Sequence, residues 1–295
     1  MEYNIEGGMP FLFSGNERLL VDGLNEYDFH ARRYNAAIPA FTSWDACNEK
    51  YPWLSPYAFC AGNPICKIDP TGEEPTNYEA ALMAQAVYKN KDSYKGIIKS
   101  LNHMDWYISD HNSSINYNHS AKTGIGIQSM LFQKTNKDGV TEYAYVYAGT
   151  NSWEDALEDI TQLVGLSPEY SKAIENAKQL SSELETNELT FVGHSMGGGN
   201  AIAAGMATGR TAITFNTAIV SAATMLFNGL SAPNKVVNYI STSNPILGFN
   251  ICLDPISTIQ NLCGMRPPGM IIPICTGYLP THSIADVVDA LKPKN

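Results

Sequence analysis

The chain has 295 residues, of which 44% are hydrophobic and 16% are charged, so it is long and apolar enough to bury a full-sized core. Its formal net charge of -10 excludes nucleic acid as a partner, because nucleic-acid recognition needs an excess of lysine and arginine to replace counterions. Any lipid contact has to come from local apolar surface, because an anionic membrane would repel this average charge.

A secretory signal peptide needs a basic start and an apolar centre, whereas residues 1–6 (MEYNIE) are acidic and polar. No run reaches the roughly 18 consecutive apolar residues of a membrane span. We therefore expect a soluble chain without a signal peptide, cytoplasmic in the producing cell. The six cysteines show no zinc-site spacing, which predicts buried thiols and neither metal nor cofactor. A Cys263–Cys275 disulfide would need an oxidising compartment.

The first part of the chain consists of short aromatic-rich segments separated by turn residues, a pattern typical of short strands. A cluster of turn residues at 69–75 ends this pattern, and a helix-like run follows over residues 78–88. We therefore predict a small β-rich module over residues 1–74 and a larger domain over residues 75–295.

The small module carries a nearly continuous series of motifs. These are residues 27–34 (YDFHARRY), 41–45 (FTSWD), 49–57 (EKYPWLSPY), 62–64 (GNP) and 68–72 (IDPTG). The series resembles the end of the core domain of Rhs-repeat-associated polymorphic toxins of the Bacteroidetes type. The resemblance implies a variable toxin domain behind the module, delivered into target cells by a type VI-like route, with an immunity protein and secretion machinery as partners. His30, Ala46 and the pair Glu73-Glu74 depart from that family's pattern, so we expect no self-cleavage after residue 72.

The larger domain alternates strand and helix patterns. Residues 124–132 and 142–147 predict a β-hairpin, and helical spacing follows over residues 153–163 and 166–185. Short apolar runs at 189–192, 212–215 and 236–240 are separated by helix-length segments. This order predicts an α/β fold with a mostly parallel central sheet.

The pentapeptide Gly193-His194-Ser195-Met196-Gly197 lies between an apolar run and a small-residue stretch. This context predicts a nucleophile elbow, a tight strand-to-helix turn in which glycines remove clashing Cβ atoms and the serine is exposed to substrate. The N–H of Met196 then lies at a helix N-terminus and points at a developing oxyanion. The alternative is a glycine-rich turn with an idle serine.

A serine nucleophile needs a histidine base and an orienting acid, which follow it in the order acid then histidine in α/β-hydrolase chains. His282 is the single histidine after Ser195, and we expect the side chain of His194 to be directed elsewhere. The acid candidates are Asp254, Asp286 and Asp289. We prefer Asp254, since it precedes a proline and is expected at the carboxyl end of a strand.

The second oxyanion donor should come from a strand-end loop before the elbow, and Tyr147-Ala148-Gly149-Thr150 fits this place. A turn at Gly149 would present the backbone N–H of Thr150, and its hydroxyl, to the substrate oxygen. The alternative is that Thr150 caps the helix that begins near Trp153.

These residues resemble the class 3, fungal-type lipases of the α/β-hydrolase superfamily. The resemblance covers roughly residues 76–292 and rests on residues 147–150, 153–159, 193–198, 254–255 and 282. It implies the triad Ser195, Asp254 and His282 with an oxyanion contact from Thr150. It further implies a mobile lid formed by part of residues 165–185.

The two resemblances together imply a serine carboxylester hydrolase that cleaves acyl glycerolipids, with phospholipids of a competitor's membrane as substrate and a transient contact with the membrane surface. One alternative is a triacylglycerol or small-ester hydrolase without a toxin role. Another is a catalytically silent binding or delivery module. The apolar stretch at residues 265–274 either lines an acyl channel, contacts a bilayer or packs as a buried loop.

Overall fold

The chain divides into two compact units, Met1–Glu74 and Pro75–Asn295. The structure is a computed structural model. It describes residues 11–13, 16–21, 24–28, 32–44, 55, 57, 75–113, 115, 127–135, 139–149, 168–184, 187–230, 235–243, 252, 254–262, 266–277 and 280–293.

The first unit, as far as it is described, is an antiparallel sheet in which each strand pairs with the next. Its strands are β1 (Phe11–Phe13), β2 (Asn16–Val21), β3 (Leu24–Asp28), β4 (Arg33–Asn35) and β5 (Ala40–Phe41). Tyr27, Tyr34 and Phe41 are buried and lie opposite one another on neighbouring strands. This aromatic cross-strand packing confirms the predicted β-rich fragment. The motif residues 45–54 and 58–74 lie outside the described residues.

The second unit alternates helices and strands, as predicted. Its helices are α1 (Asn77–Ala86), α2 (Tyr94–His103), α3 (Pro168–Glu183), α4 (Met196–Thr208), α5 (Ala222–Phe227), α6 (Pro255–Leu262) and α7 (Ile284–Leu291). Its strands are β6 (Tyr107–Ile108), β7 (Ser129–Thr135), β8 (Thr141–Tyr147), β9 (Glu188–His194), β10 (Thr211–Phe215), β11 (Val236–Ser243) and β12 (Met270–Gly277).

The strands form one sheet in the order β12-β11-β10-β9-β8-β7-β6. The strands from β8 to β12 are parallel, and β7 and β6 add an antiparallel edge. The hairpin prediction is confirmed by the pairing of β7 with β8, and the three apolar runs are the adjacent strands β9, β10 and β11. This arrangement confirms the predicted α/β fold with a mostly parallel central sheet.

The helix α1 begins where the sequence supplies a capping box. The N–H of Glu79 donates to Thr76 Oγ1 at 3.3 Å, and Glu79 Oε2 accepts from the N–H of Thr76 at 2.9 Å. These two bonds satisfy orphan amides of the first turn, so the helix start is fixed locally. The helix α1 ends at Ala86, two residues before Tyr88, whose hydroxyl contacts the ring of His194.

The central strand β9 is buried on both faces, which explains its nearly continuous apolar sequence. Leu189 and Phe191 pack into the core that also contains the buried sides of α3 and α4. Since side chains alternate along a strand, His194 at the end of β9 points to the opposite face. There it meets Tyr88, after α1, and His282, before α7.

The described part of residues 165–185, the range expected to contain a mobile lid, is a core helix rather than a lid. Residues 168–183 are the helix α3, whose Tyr170, Ala173, Ala177 and Leu180 are at most 1% exposed in the core. A helix that buries a whole apolar stripe against its own domain cannot leave that domain without exposing the stripe. Residues 150–167, including the predicted helix after Trp153, lie outside the described residues.

The apolar stretch at 265–274 is not a loop from residue 270 onward, because residues 270–277 are the edge strand β12. Ile272 and Ile274 are buried while the residues between them are exposed, which is the alternation of a strand. Pro273 is tolerated because edge strands have one side without ladder bonds. Within the described parts of the chain, no helix combines the length and apolarity of a bilayer span.

Candidate active site

The turn from β9 into α4 has the backbone of a nucleophile elbow. Ser195 has φ 58° and ψ −129°, a strained conformation for a residue with a Cβ atom. A Cβ atom on Gly193 would overlap the main chain of Gly197, and a Cβ atom on Gly197 would overlap the carbonyl of Tyr147. Both glycines are therefore required by close backbone packing, as the sequence predicted.

Main-chain bonds hold the strained serine in place. The N–H of Ser195 donates to the carbonyl of Phe215 at 3.1 Å, and its carbonyl accepts from the N–H of Ala218 at 3.0 Å. Ser195 is only 3% exposed, whereas the sequence predicted a serine open to substrate. The difference arises because the loop after β10 and the main chain of Gly149 close around the turn.

The structure brings His282 and Asp254 together. His282 Nδ1 lies 2.5 Å from Asp254 Oδ1, and the carboxyl group is fully buried. Asp254 Oδ2 accepts from the N–H of Ser257 at 2.7 Å, in the first turn of α6. The acid thus lies at a helix N-terminus, where the helix dipole stabilises its charge, rather than at the strand end that the sequence predicted.

The other two acid candidates lie elsewhere. Asp286 accepts a hydrogen bond from Thr281 Oγ1, within the first turn of α7. Asp289 is exposed on the same helix, and its charge acts on Tyr78. Asp254 is therefore the candidate that the fold brings to His282.

Because Nδ1 of His282 contacts Asp254, the second ring nitrogen, Nε2, is left available for proton transfer. A carboxylate can only accept, so Nδ1 carries the proton that binds Asp254 in the neutral ring. Nε2 is buried and has no hydrogen-bond partner among the residues that the structure describes. An unprotonated Nε2 in this position is equipped to take a proton from a nucleophile.

His194 connects the elbow to His282. Its ring lies 4.7 Å from the ring of His282, and its Nε2 lies 2.7 Å from the carbonyl oxygen of His282. Its two ring nitrogens are thus directed at Tyr88 and at the main chain of His282 rather than at the Ser195 hydroxyl. Burial, and to a smaller extent the neighbouring His282 ring, lower the pKa of His194 to about 3, against the opposing effect of its bond to the His282 carbonyl. His194 is neutral at physiological pH.

Sequence reasoning missed Tyr88, whose hydroxyl oxygen lies 2.8 Å from His194 Nδ1. The same oxygen accepts from the N–H of Gly149 at 3.0 Å. Because 106 residues separate Tyr88 from His194, no local pattern could have marked it.

Met196 is the first residue of α4, where a backbone N–H has no acceptor within the helix. This agrees with its predicted place at the elbow. Thr150, the other predicted oxyanion residue, lies outside the described residues, although Gly149 before it lies against the elbow.

The described residues contain no cluster of three His, Cys, Asp or Glu side chains suited to a metal ion. Cys252 lies beside the acid, where its Sγ donates to the carbonyl of Asp254 at 3.7 Å, and burial raises the pKa of its thiol. Cys275 is exposed on β12, and its suggested partner Cys263 lies outside the described residues. The chemistry available here is that of a hydroxyl group, an imidazole and a carboxylate.

Comparison with known proteins gives a consistent set of similarities. Residues 79–292 match the model of a family described as phospholipase-like, the Tle-like phospholipase domain. The chain is 36% identical over 99 residues to the extracellular phospholipase A1 of Serratia liquefaciens. That match covers 33% of this chain and 29% of the relative, so the chain spans less than a third of the relative's length.

Among solved structures, a triacylglycerol lipase from Penicillium expansum is similar with a TM-score of 0.38 and 15% identity, over 68% of this chain and 79% of that chain. A mutant form of MDLA from Penicillium cyclopium is similar with a TM-score of 0.38 and 17% identity, over 71% of this chain and 81% of that chain.

Proposed function

Because the chain belongs to the family of Tle-like phospholipase domains, it is an ester hydrolase, and we propose that it cleaves acyl esters of glycerophospholipids. In this proposal Ser195 is the nucleophile, His282 the general base and Asp254 the acid that orients the base. The observation that carries the assignment is the 2.5 Å contact between His282 Nδ1 and Asp254 Oδ1, with Nε2 left unpartnered among the described residues.

The reaction follows the chemistry of a serine esterase. Ser195 Oγ attacks the ester carbonyl while His282 Nε2 takes the hydroxyl proton. Collapse of the tetrahedral intermediate breaks the bond to the glycerol oxygen, and His282 returns the proton to that oxygen. Water then attacks the acyl-serine with the same base and releases a fatty acid. The products are a lysophospholipid and one free fatty acid.

The charge that develops on the carbonyl oxygen needs donors that are already in place. We assign this role to the N–H groups of Met196 and Thr150. The position of Met196 at the start of α4 supports the first assignment. The second is supported by Gly149, the residue before Thr150, whose N–H is held by Tyr88 and whose main chain lies against the elbow.

A transient contact with a lipid surface is part of the proposal. The loop that binds the carbonyl of Ser195 through Ala218 continues into α5, which exposes Leu226 (82%) and Phe227 (72%). Apolar side chains of this kind insert at a membrane interface without needing a positive surface. With a net charge of -10, the protein should prefer zwitterionic over anionic lipid surfaces.

The biological role that fits the Rhs-like motifs is that of an antibacterial toxin domain. In this proposal the chain resides in the cytoplasm of the producer, is delivered by a type VI-like route, and is neutralised there by an immunity protein. Expression of the wild type and of Ser195→Ala in the periplasm of a bacterial host tests the role. Growth arrest with accumulation of lysophospholipid is expected for the wild type alone, and equal growth of both strains would contradict it.

The activity itself is tested with purified protein on vesicles of phosphatidylcholine and phosphatidylethanolamine, on a triglyceride emulsion and on a short soluble ester. Release of lysophospholipid and fatty acid is expected from the vesicles, with loss of this activity in Ser195→Ala. Hydrolysis of the emulsion or the soluble ester without the vesicles would favour a triacylglycerol or small-ester hydrolase. Absence of hydrolysis on all three would favour a silent binding module.

A further inference from the structure

The hydroxyl of Tyr88 lies between two parts of the candidate site that are distant in sequence. Its oxygen is 3.0 Å from the N–H of Gly149, the residue before the proposed oxyanion amide, and 2.8 Å from Nδ1 of His194, the residue before the nucleophile. Tyr88 itself is partly buried and follows α1. One hydroxyl group therefore touches both the loop after β8 and the elbow after β9.

The hydrogen bonds around this hydroxyl have one possible direction. A carbonyl oxygen only accepts, so the Nε2 of His194, 2.7 Å from the carbonyl of His282, carries the ring proton. In the neutral ring, Nδ1 then has only a lone pair and must accept the hydroxyl proton of Tyr88. The N–H of Gly149 can only donate, so it binds the oxygen of Tyr88. The resulting hydrogen-bond chain runs from Gly149 through Tyr88 and His194 to the main chain of His282.

The protonation states agree with this direction. Burial raises the pKa of the Tyr88 hydroxyl, against the smaller opposing effect of the Gly149 N–H, so the hydroxyl keeps the proton that it donates. Burial and the neighbouring His282 lower the pKa of His194 to about 3, so its ring stays neutral. Every donor in this hydrogen-bond chain meets an acceptor, so the hydrogen-bonding needs of its buried polar groups are met.

Close packing leaves the loop little freedom around this hydroxyl. A Cβ atom on Gly149 would lie 2.7 Å from the Tyr88 hydroxyl and 2.9 Å from Cβ of Ser195. Glycine is therefore needed where the loop passes between the tyrosine and the nucleophile. The position of the loop is set by its contact with Tyr88 on one side and with the elbow on the other.

From these contacts we infer that Tyr88 is a positioning residue, which through Gly149 and His194 fixes the oxyanion loop and the base relative to the nucleophile. This role rests on the proposed hydrolase function. The hydrogen bonds that the structure describes for the Tyr88 hydroxyl are those to Gly149 and His194, so we assign it to the alignment of the reacting groups. Misplacement of a catalytic group by about 1 Å can cost about 100-fold in rate, which sets the scale of the effect.

The variant Tyr88→Phe removes the hydroxyl and keeps the ring. On phosphatidylcholine vesicles we expect kcat to fall by about 10- to 100-fold while the apparent KM changes less than about twofold, because substrate binding is not touched. The matched control is Tyr145→Phe, which loses a buried hydroxyl that lies 2.9 Å from Ser129 Oγ in the same sheet. This control should lose thermal stability to a similar degree but keep kcat within about twofold.

A second readout does not depend on activity. In the wild type, the ring-nitrogen chemical shifts of His194 should show the neutral form protonated at Nε2. In Tyr88→Phe the carbonyl of His282 still holds the proton on Nε2, so the ring should keep this form while the Nδ1 shift moves to that of a lone pair without a hydrogen-bond donor. Identical His194 shifts in the two proteins would overturn the inferred chain.

The outcomes separate the two claims. Hydrolysis by the wild type but not by Ser195→Ala, with kcat of Tyr88→Phe equal to that of Tyr145→Phe, would overturn the positioning role and leave the proposed function intact. Absence of Ser195-dependent hydrolysis in the wild type would overturn the proposed function and, with it, a role of Tyr88 in catalysis. The His194 shifts would then decide the hydrogen-bond chain by themselves.

Discussion

At the scale of single residues, Asp254 makes two different hydrogen bonds with its two carboxyl oxygens. Oδ1 meets Nδ1 of His282, and Oδ2 accepts the N–H of Ser257 at the start of α6. One oxygen thus serves the proposed chemistry and the other serves a helix cap. A substitution that keeps the second bond while changing the first separates these roles.

Asp254→Asn is such a substitution. Asparagine caps a helix about as well as aspartate, so its oxygen can retain the Ser257 bond and stability should change by less than about 0.5 kcal/mol. Its NH2 group then faces His282 Nδ1 and favours a ring protonated at Nε2, which cannot accept the serine proton. We expect kcat on phospholipid vesicles to fall by about 10³- to 10⁴-fold, measured together with the melting temperature.

The control for this substitution is Asp286→Asn. Asp286 bonds to Thr281 within the start of α7 and makes no contact with the His282 ring that the structure describes. Its activity should stay near that of the wild type. An equally large loss in Asp286→Asn, or wild-type kcat in Asp254→Asn, would reject Asp254 as the orienting acid.

At the scale of elements, α3 shows what periodicity does and does not reveal. Helical spacing over residues 166–185 predicted the helix correctly, because an apolar stripe is a local property of the sequence. The same stripe suits a mobile lid or a core helix, and the sequence does not say which surface covers it. Because α3 packs against α4 within the hydrophobic core, its described residues form a core helix.

The variant Leu180→Ala tests this role of α3. Leu180 is fully buried, so its truncation should lower the free energy of unfolding by about 2–5 kcal/mol, measured by denaturant titration. The exposed neighbour Lys178 provides the control, since Lys178→Ala should change stability by at most about 0.5 kcal/mol. A lid would give the opposite result, with stability unchanged in Leu180→Ala and the ratio of vesicle to soluble-ester activity altered.

The elbow and the strands could be predicted because their information is local. Glycines two residues before and after Ser195, and apolar runs of strand length, are visible without knowing the fold. The strand β12 was missed because Pro273 argues against a strand, and only its place at the sheet edge makes proline acceptable. Tyr88 was missed because its role arises from contacts with Gly149 and His194 that only the folded chain creates.

At the scale of the whole molecule, the chain consists of two compact units that meet in sequence at residues 74 and 75. The family match at residues 79–292 lies entirely within the second unit. All residues proposed for the reaction also lie there. The second unit therefore contains all residues of the candidate site and has its own hydrophobic core, which is the requirement for independent folding.

Residues 75–295 expressed alone should accordingly form a folded hydrolase. We expect a cooperative thermal transition and a kcat on phosphatidylcholine vesicles within about threefold of that of the full chain, since no proposed group is removed. The same fragment carrying Ser195→Ala gives the background rate. A fragment that aggregates would show that the second unit needs the first unit to fold, and a fragment that is folded but inactive, beside an active full chain, would show that the activity needs the first unit.

The site is also spread along the second unit, and this has a consequence for its synthesis. His282 lies directly before α7, and α7 packs against α1, the first helix of the unit. The bond from His194 to the carbonyl of His282 can form only after residue 282 has left the ribosome. If His282 is the base, as we propose, a nascent chain that has already folded its elbow still lacks this base, so hydrolysis cannot begin in the producing cell before residue 282 has been synthesised and has left the ribosome.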